Sequence, residues 1–425
     1  MKKEIFRVGV GTADITPPLG SRMEGYYYPR RAKAVHDTLT AKAVIFDDGK
    51  TSAALIACDI CGLDKKTFAA LEKRIAGLKI FAPDNIILCA THTHTGPCLD
   101  HKYTKIMALG VERALRRAHN ALSPAALRRQ KIDINGLFFN RRYFMKNGAV
   151  ATNPGKCNPN VVKPAGPVFK YADVLWIDFT DKKSWAIVNI PGHPDTVGGN
   201  KISADYPYYI EQCLRSRSKQ AAGIVYTNAP CGDINHWDIH NPSPQRGFAE
   251  AKRIGWKIGE AIVSGMKSAG RQNVNRIKTA YKSVNLQYIK VTKADVAKAR
   301  AILKRPYPSG VDFTMEAVEA QKIMRAFRLR GKKCPVTVKA IALGPMALLG
   351  MPAELFAELG MRIKNKSPFK ATFVNDLASA PVGYIAPAKA WKEGGYEATS
   401  SVYRPGIGEK IVKCALDVLN KCRSQ

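Results

Sequence analysis

Short apolar runs alternate with amphipathic stretches along most of the chain. Residues 41–46, 52–58, 86–90, 174–179, 185–190 and 223–226 are compact aliphatic runs with the length and composition of buried strands. Residues 65–79, 101–120, 206–218, 247–268 and 405–421 repeat apolar side chains three and four apart, which predicts helices with one buried face. This alternation predicts an α/β fold with a layered, largely covered sheet. Residues 147–167 break the rhythm with Asn, Pro, Gly and Lys and are expected to form a long functional or covering loop. The pattern restarts near 271–276 with an extended run and a pair of helices, so a sub-lobe boundary is expected there.

Composition narrows the class. The chain has 425 residues, 46% of them hydrophobic, enough for a large core in one or two domains. It contains no run of 18 apolar residues, so no transmembrane helix is expected. The opening Met1-Lys2-Lys3-Glu4-Ile5 lacks a following apolar segment and does not read as a secretory signal. Ten irregularly spaced cysteines fit reduced thiols and a cytoplasmic setting. Cys58 and Cys61 form a C-x-x-C that reads as a strand end more readily than as a redox pair, and no second C-x-x-C exists to complete a zinc ribbon.

The charge is strongly basic, 67 Lys and Arg against 34 Asp and Glu, formally +33. Such a chain attracts polyanions without specific recognition. The densest stretch, Lys322, Arg325, Arg328, Arg330, Lys332 and Lys333, alternates with Ile323, Met324 and Phe327 and reads as the solvated face of a helix. No zinc-finger or aromatic RNA-binding pattern accompanies it, so no specific nucleic-acid partner is expected.

The candidate chemistry lies where apolar runs end. "CATHTHTGPC" follows the run 86–90 and carries His92 and His94, which share one face if the strand continues; Gly96-Pro97 then ends it. Five other segments have the same form. "WAIVNIPGHPDT" presents His193, "ALLGMPAELF" presents Glu354, "APVGYIAP" presents Tyr384, "EGGYEATSS" presents Tyr396, and "GIVYTNAPCGDINHW" presents Asp233, Asn235 and His236. Taken singly, a Gly-His-Pro is a turn, a glutamate at a helix start serves the helix dipole, and a tyrosine after glycine is packing. The histidine pair by itself leaves metal ligands, catalytic bases and structural polar residues all open.

The order of the motifs carries more. "VGVGTADITPPLG", "ATHTHTGP", "NRR", "GHP", "SADYP", "CGDIN", "MPAELF" and "GYI…GGYEA" succeed one another as in the neutral/alkaline non-lysosomal ceramidase family, which the chain resembles from about Val8 to Ser401. The resemblance implies that family's layered α/β catalytic domain with mixed sheets, here a single domain over 1–425 without a C-terminal β-sandwich domain. It implies Zn²⁺ held by His92, His193, Glu354 and Tyr384, with His94 as general base. Arg141 would face the substrate and Tyr396 would hydrogen-bond a developing oxyanion. Two imidazoles, a carboxylate and a weaker fourth ligand suit a catalytic zinc that keeps a position open. Such an ion lowers the pKa of bound water from about 16 to roughly 7.

One motif departs. The family's Gly-Asp-Val-Ser-Pro-Asn is Gly232-Asp233-Ile234-Asn235-His236-Trp237 here, so Asn235 stands where the resemblance expects an essential serine. An amide is no nucleophile. With all four ligand positions intact, attack by zinc-bound hydroxide is the favoured expectation, and Asn235 shapes the pocket. Cys98 and Cys231 lie near the motifs but have no evident partner base. The expected activity is hydrolysis of an amide or ester in a small polar substrate, anionic on the strength of Arg141 and Arg142. The alternatives are a ceramidase or N-acyl-lipid amidase proper, or a non-catalytic polyanion-binding protein.

Overall fold

The computed structural model describes residues 6–305 and 314–424. Thirteen strands build the two principal sheets: β1 (Arg7–Asp14), β2 (Thr40–Asp47), β3 (Ser52–Cys58), β4 (Ile86–Ala90), β5 (Ser123–Asp133), β6 (Tyr171–Phe179), β7 (Ser184–Ile190), β8 (Ala221–Asn228), β9 (Gly270–Gln272), β10 (Ile277–Leu286), β11 (Cys334–Leu343), β12 (Met346–Gly350) and β13 (Ala371–Asn375). The first sheet runs β8-β7-β6-β5-β1-β2-β3-β4, with β9 pairing β5; the second runs β10-β11-β12-β13. Both are mixed. Most neighbours are antiparallel, but β3 with β4, β7 with β8, and β12 with β13 are parallel.

Strand alternation sorts the side chains into layers. On β2, Val44 and Phe46 face the second sheet and join Leu55, Ile87, Leu175, Val225, Ile341, Leu348 and Phe373 in an inter-sheet core. The intervening Ala43 and Ile45 face outward, under helices α1 (Lys65–Ala76) and α2 (His101–Asn120). Helices α3 (Tyr206–Arg217) and α4 (Phe248–Ser264) cover β6–β8 through Trp176, Val188, Ile210 and Ile258. Beyond the second sheet, Ala357–Lys366 and Ile407–Ser424 supply the fourth layer. Helix, sheet, sheet and helix thus stack as a layered α/β fold, in agreement with the sequence pattern.

The helix starts follow local chemistry. Asp64 and Asp100 accept hydrogen bonds from Thr67 N and Tyr103 N and so cap α1 and α2. After β9 in the first sheet the chain passes directly to β10 in the second. The irregular segment 147–167 contributes two short strands, Val150–Thr152 and Val161–Pro164, paired on either side of Arg142–Met145.

The three parallel pairs matter most for function. Their carboxyl ends converge, and buried Asn189 on β7 ties them by donating to Thr227 Oγ1 on β8 and to Val374 O on β13. Ligands gather outside the carboxyl ends of parallel strands because successive loops there can all reach one point.

Candidate metal centre

His92, His193 and Glu354 each sit just past one of these strand ends, and Tyr384 lies beyond β13 in a short strand paired with Glu354. The strand carrying the first histidine ends at Ala90, two residues short of it, so His92 and His94 do not share a strand face as a continued strand would have it. His92 instead adopts a left-handed backbone, φ 73°, its N–H donating to Ile60 O at 2.9 Å. A non-glycine residue held there costs on the order of 1–3 kcal/mol, and such strain collects at functional sites. The turn still brings the pair together: His94 Nε2 lies 3.5 Å from His92 Nε2.

His193 follows β7 and Glu354 follows β12. Glu354 Oε2 lies 3.3 Å from His92 Nε2 and 3.2 Å from His193 Nε2. The loop before Asn235 packs so tightly on this glutamate that a Cβ on Gly232 would approach Glu354 O to 2.5 Å. The far nitrogens of both imidazoles are committed: His92 Nδ1 is 2.5 Å from Cys61 O, and His193 Nδ1 is 2.9 Å from Ile234 O. A ring nitrogen facing a carbonyl must carry the proton, which leaves Nε2 of each as a lone pair. Three acceptor atoms, two imidazole nitrogens and a carboxylate oxygen, therefore face one another within 4.8 Å. With both rings neutral such an arrangement is repulsive; a proton on His92 or a metal ion among the three atoms relieves it, and the donor set suits a transition metal. Cys61, His92 and His94 form a second possible group, but burial pushes the Cys61 thiol up, against the thiolate form.

The electrostatics agree. Burial alone would raise the Glu354 carboxyl, but His92 and His193 outweigh it and hold it well below the usual range. Burial would lower His92, yet the Glu354 carboxylate holds it well above its ordinary value. Burial and then Arg141 push His193 down to about 3, and burial pushes His94 down to about 4, so His94 is a neutral imidazole at pH 7.

The remaining candidates ring this cluster. Tyr384 neighbours Glu354 in a short parallel pairing, and its ring lies 6.5 Å from His193 in a near-parallel orientation. Tyr396 stands edge-on to Tyr384 at 5.6 Å, and its hydroxyl is 2.9 Å from that of Tyr27. The Arg141 guanidinium lies 5.4 Å from the Tyr384 ring centre, with Nε donating to Glu397 at 2.6 Å and Nη2 to Gly232 O at 2.8 Å. Asn235 is buried, its amide donating to Asn153 Oδ1 at 2.8 Å and accepting from Trp237 N at 3.1 Å. Residue 153 belongs to the segment expected to be a covering loop.

Several expectations need correction. Arg142 does not stand beside Arg141 as a second free cation: it is 1% exposed and is engaged by Glu393, Gly394 O and Glu397. Asp233 and His236 are structural. Asp233 accepts from Asn140 Nδ2 and Ala357 N; His236 is held through Nε2, which faces Gln245 O at 2.7 Å, while its buried Nδ1 has no hydrogen-bond partner among the described residues. Neither cysteine near the motifs is poised to react, since burial drives Cys231 well up and burial with Glu24 takes Cys98 to about 12. The sequence reading also missed Asp195, Tyr26 and Glu397. Asp195 lies two residues past His193 in the same turn and Glu397 directly follows Tyr396 in its motif, placements that could have marked both; nothing in sequence links Tyr26 to the site.

A layered α/β protein with a candidate metal centre at the carboxyl ends of its parallel strands is thus defined by geometry alone. The family described as neutral/alkaline non-lysosomal ceramidase, N-terminal, matches residues 6–154. The neutral ceramidase of Pseudomonas aeruginosa is 20% identical over 94% of this chain and 69% of its own length. Neutral ceramidase A of Dictyostelium discoideum is 27% identical over 32% of this chain and 22% of its own length. The solved structure of the Pseudomonas neutral ceramidase superposes with a TM-score of 0.78 at 15% identity, covering 99% of this chain and 75% of that one. A ceramidase complexed with C2 gives 0.77 over the same coverage. Residues 6–154 thus match the neutral/alkaline non-lysosomal ceramidase family, and the chain as a whole shares the fold of the Pseudomonas enzyme. No helix among its described residues is long and apolar enough to cross a membrane.

Proposed function

We propose that the protein is a zinc-dependent hydrolase of an amide or ester bond in a small polar substrate, with His92, His193, Glu354 and Tyr384 as the ligand set. The observation that carries this reading is the convergence of two imidazole Nε2 atoms and a carboxylate oxygen within 4.8 Å, with both Nδ1 atoms held by backbone carbonyls. Bound there, zinc supplies Lewis-acid chemistry, polarising a carbonyl and lowering the pKa of water.

The chain's own groups do the rest. His94 is neutral, points Nε2 toward the ligand cluster, and can take the proton of an attacking water and return it to the leaving amine or alcohol. Arg141 is held rigid by Glu397 and Gly232 O, with its guanidinium beside Tyr384. Together with the Tyr396 hydroxyl it can donate to the oxygen that gains charge. Asn235 offers no nucleophile, so water is the attacking species and Asn235 shapes the pocket wall. With Arg142 engaged by acids, recognition of an anionic substrate group would rest on Arg141 alone. The similarity to neutral ceramidases makes N-acyl lipids the second substrate class to test.

The experiment is elemental analysis of protein prepared without added metal, joined to a panel of short N-acyl and O-acyl compounds and ceramide in detergent, with and without chelator. One equivalent of zinc and chelator-sensitive turnover of a short acyl compound are expected. Metal-free protein that still turns over would overturn the metal assignment. Efficient cleavage of ceramide with none of the small compounds touched would replace the small-substrate reading with the lipid one.

A further inference from the structure

His94 poses a problem that the ligand cluster does not solve. Its Nε2 faces the cluster, but its Nδ1 is buried with no hydrogen-bond partner among the described residues. A base with one loose nitrogen has neither a fixed tautomer nor a fixed ring angle, and both decide whether Nε2 presents a lone pair. The nearest acid is Asp195, with Oδ1 3.7 Å from His94 Nδ1. That oxygen also accepts from the Tyr26 hydroxyl, and the Tyr26 ring stands edge-on to His94 at 5.8 Å.

The strap carrying Tyr26 is built to lie here. Gly25, φ 107°, lets it pass so close that a Cβ would meet His94 Cα at 2.8 Å. Arg30 then clamps both partners, its guanidinium 4.2 Å from the Tyr26 ring centre and its Nη2 donating to His94 O at 2.7 Å.

We infer that Asp195, held by Tyr26, is the positioning residue of His94: its carboxylate accepts a hydrogen bond from Nδ1–H, fixes the tautomer with the Nε2 lone pair toward the reacting water, and stabilises the imidazolium formed in the reaction. This rests on the reading of His94 as base. The proton from water goes to Nε2 and from there to the leaving group; Asp195 stays ionised throughout. A base oriented by a third group recurs wherever an imidazole moves protons. The 3.7 Å separation is longer than a hydrogen bond, and such contacts tighten when substrate fills the site.

The test uses the zinc-loaded protein and whichever short acyl compound it turns over. Asp195→Asn preserves shape and an acceptor for Tyr26 but reverses the tautomer preference; kcat should fall about 10²–10⁴-fold with KM little changed and zinc content at parent level. Formate added to Asp195→Ala should restore part of kcat, which a merely structural role would not allow. Should Asp195→Asn lose zinc or unfold, Tyr26→Phe decides, with an expected drop of about two- to tenfold in kcat and full zinc. Parent kcat in Asp195→Asn or in fully zinc-loaded Tyr26→Phe, or a rise in KM alone, overturns the inference while an inactive His94→Ala leaves the proposed function standing. Parent kcat in His94→Ala would instead remove the base itself.

Discussion

Two buried polar clusters flank the Tyr384 ring and treat charge in opposite ways. On one side Glu397 accepts from Arg141 at 2.6 Å and from Thr152 at 2.8 Å, while Arg142 donates to Gly394 O at 2.9 Å and to Glu393 at 3.2 Å. Cations meet anions here, with Arg142 Nε 3.7 Å from Glu397 and outside hydrogen-bond reach. On the other side His92, His193 and Glu354 turn three acceptors on one another, their spare donors used up by backbone carbonyls. Burial is the same in both, so exposure does not tell a structural cluster from a functional one. The donor set does: one cluster pairs guanidinium groups with carboxylates, whereas the other gathers two imidazole nitrogens and one carboxylate oxygen within 4.8 Å, a set that a transition metal can share.

The sharpest way to break this comparison is Glu354→Gln. Replacing the one formal charge of the acceptor cluster should take zinc from one equivalent to near none and cost about 10³-fold or more in turnover, several kcal/mol of transition-state stabilisation. Full zinc in this variant would show that the acceptors do not form the site. The same cluster gives a pH dependence. Glu354 holds the metal-free His92 imidazole well above its ordinary pKa, so protons compete with zinc for the lone pair. Apparent zinc affinity should therefore rise with pH and weaken on acidification, a trend measurable by competition with a chromophoric chelator. A flat profile would deny that competition.

Glu397→Gln breaks the ion-paired cluster instead. It leaves Arg141 and Arg142 buried beside a neutral amide, and removing one partner of a buried pair costs about 3–5 kcal/mol. Denaturant unfolding should register that loss while zinc content stays near one equivalent. Loss of zinc with unchanged stability would exchange the two roles.

The architecture was legible in sequence because strand and helix periodicities are local: the runs at 41–46, 52–58 and 185–190 lie inside β2, β3 and β7. The positions of His92, His193, Glu354 and Tyr384 were legible because each follows an apolar run or a glycine turn, and motif order linked them. What stayed hidden depends on contacts between distant residues. Arg142 looks like a free cation until Glu393 and Glu397 fold over it, and Asp195 looks like an ordinary turn residue until Tyr26, far upstream, donates to it. The left-handed turn at His92 replaced the expected shared strand face because its N–H is taken by Ile60 O, off the ladder. Partner identity, not residue type, decided each of these.

The smallest effect is expected at Asn235, which belongs to neither cluster. Its side chain bonds Asn153 and the Trp237 N–H, and its backbone pairs with Phe139, so it ties the segment over the pocket to the wall behind it. Asn235→Ala removes one neutral side-chain hydrogen bond and one turn contact, each worth about 0.5–1.5 kcal/mol. If water is the attacking species, kcat should stay within about tenfold of the parent, with any loss shared with KM as the covering segment loosens. His94→Ala in the same assay should lose about 10²–10⁴-fold in kcat because it removes the proton transfer. The gap between the two variants is the measurement. An Asn235→Ala protein as inactive as Glu354→Gln, with full zinc and parent stability, would give the amide a direct part in the reaction. It would then join His94 and Arg141 among the groups that touch the reacting atoms, and water could no longer be assigned as an attacker independent of this motif.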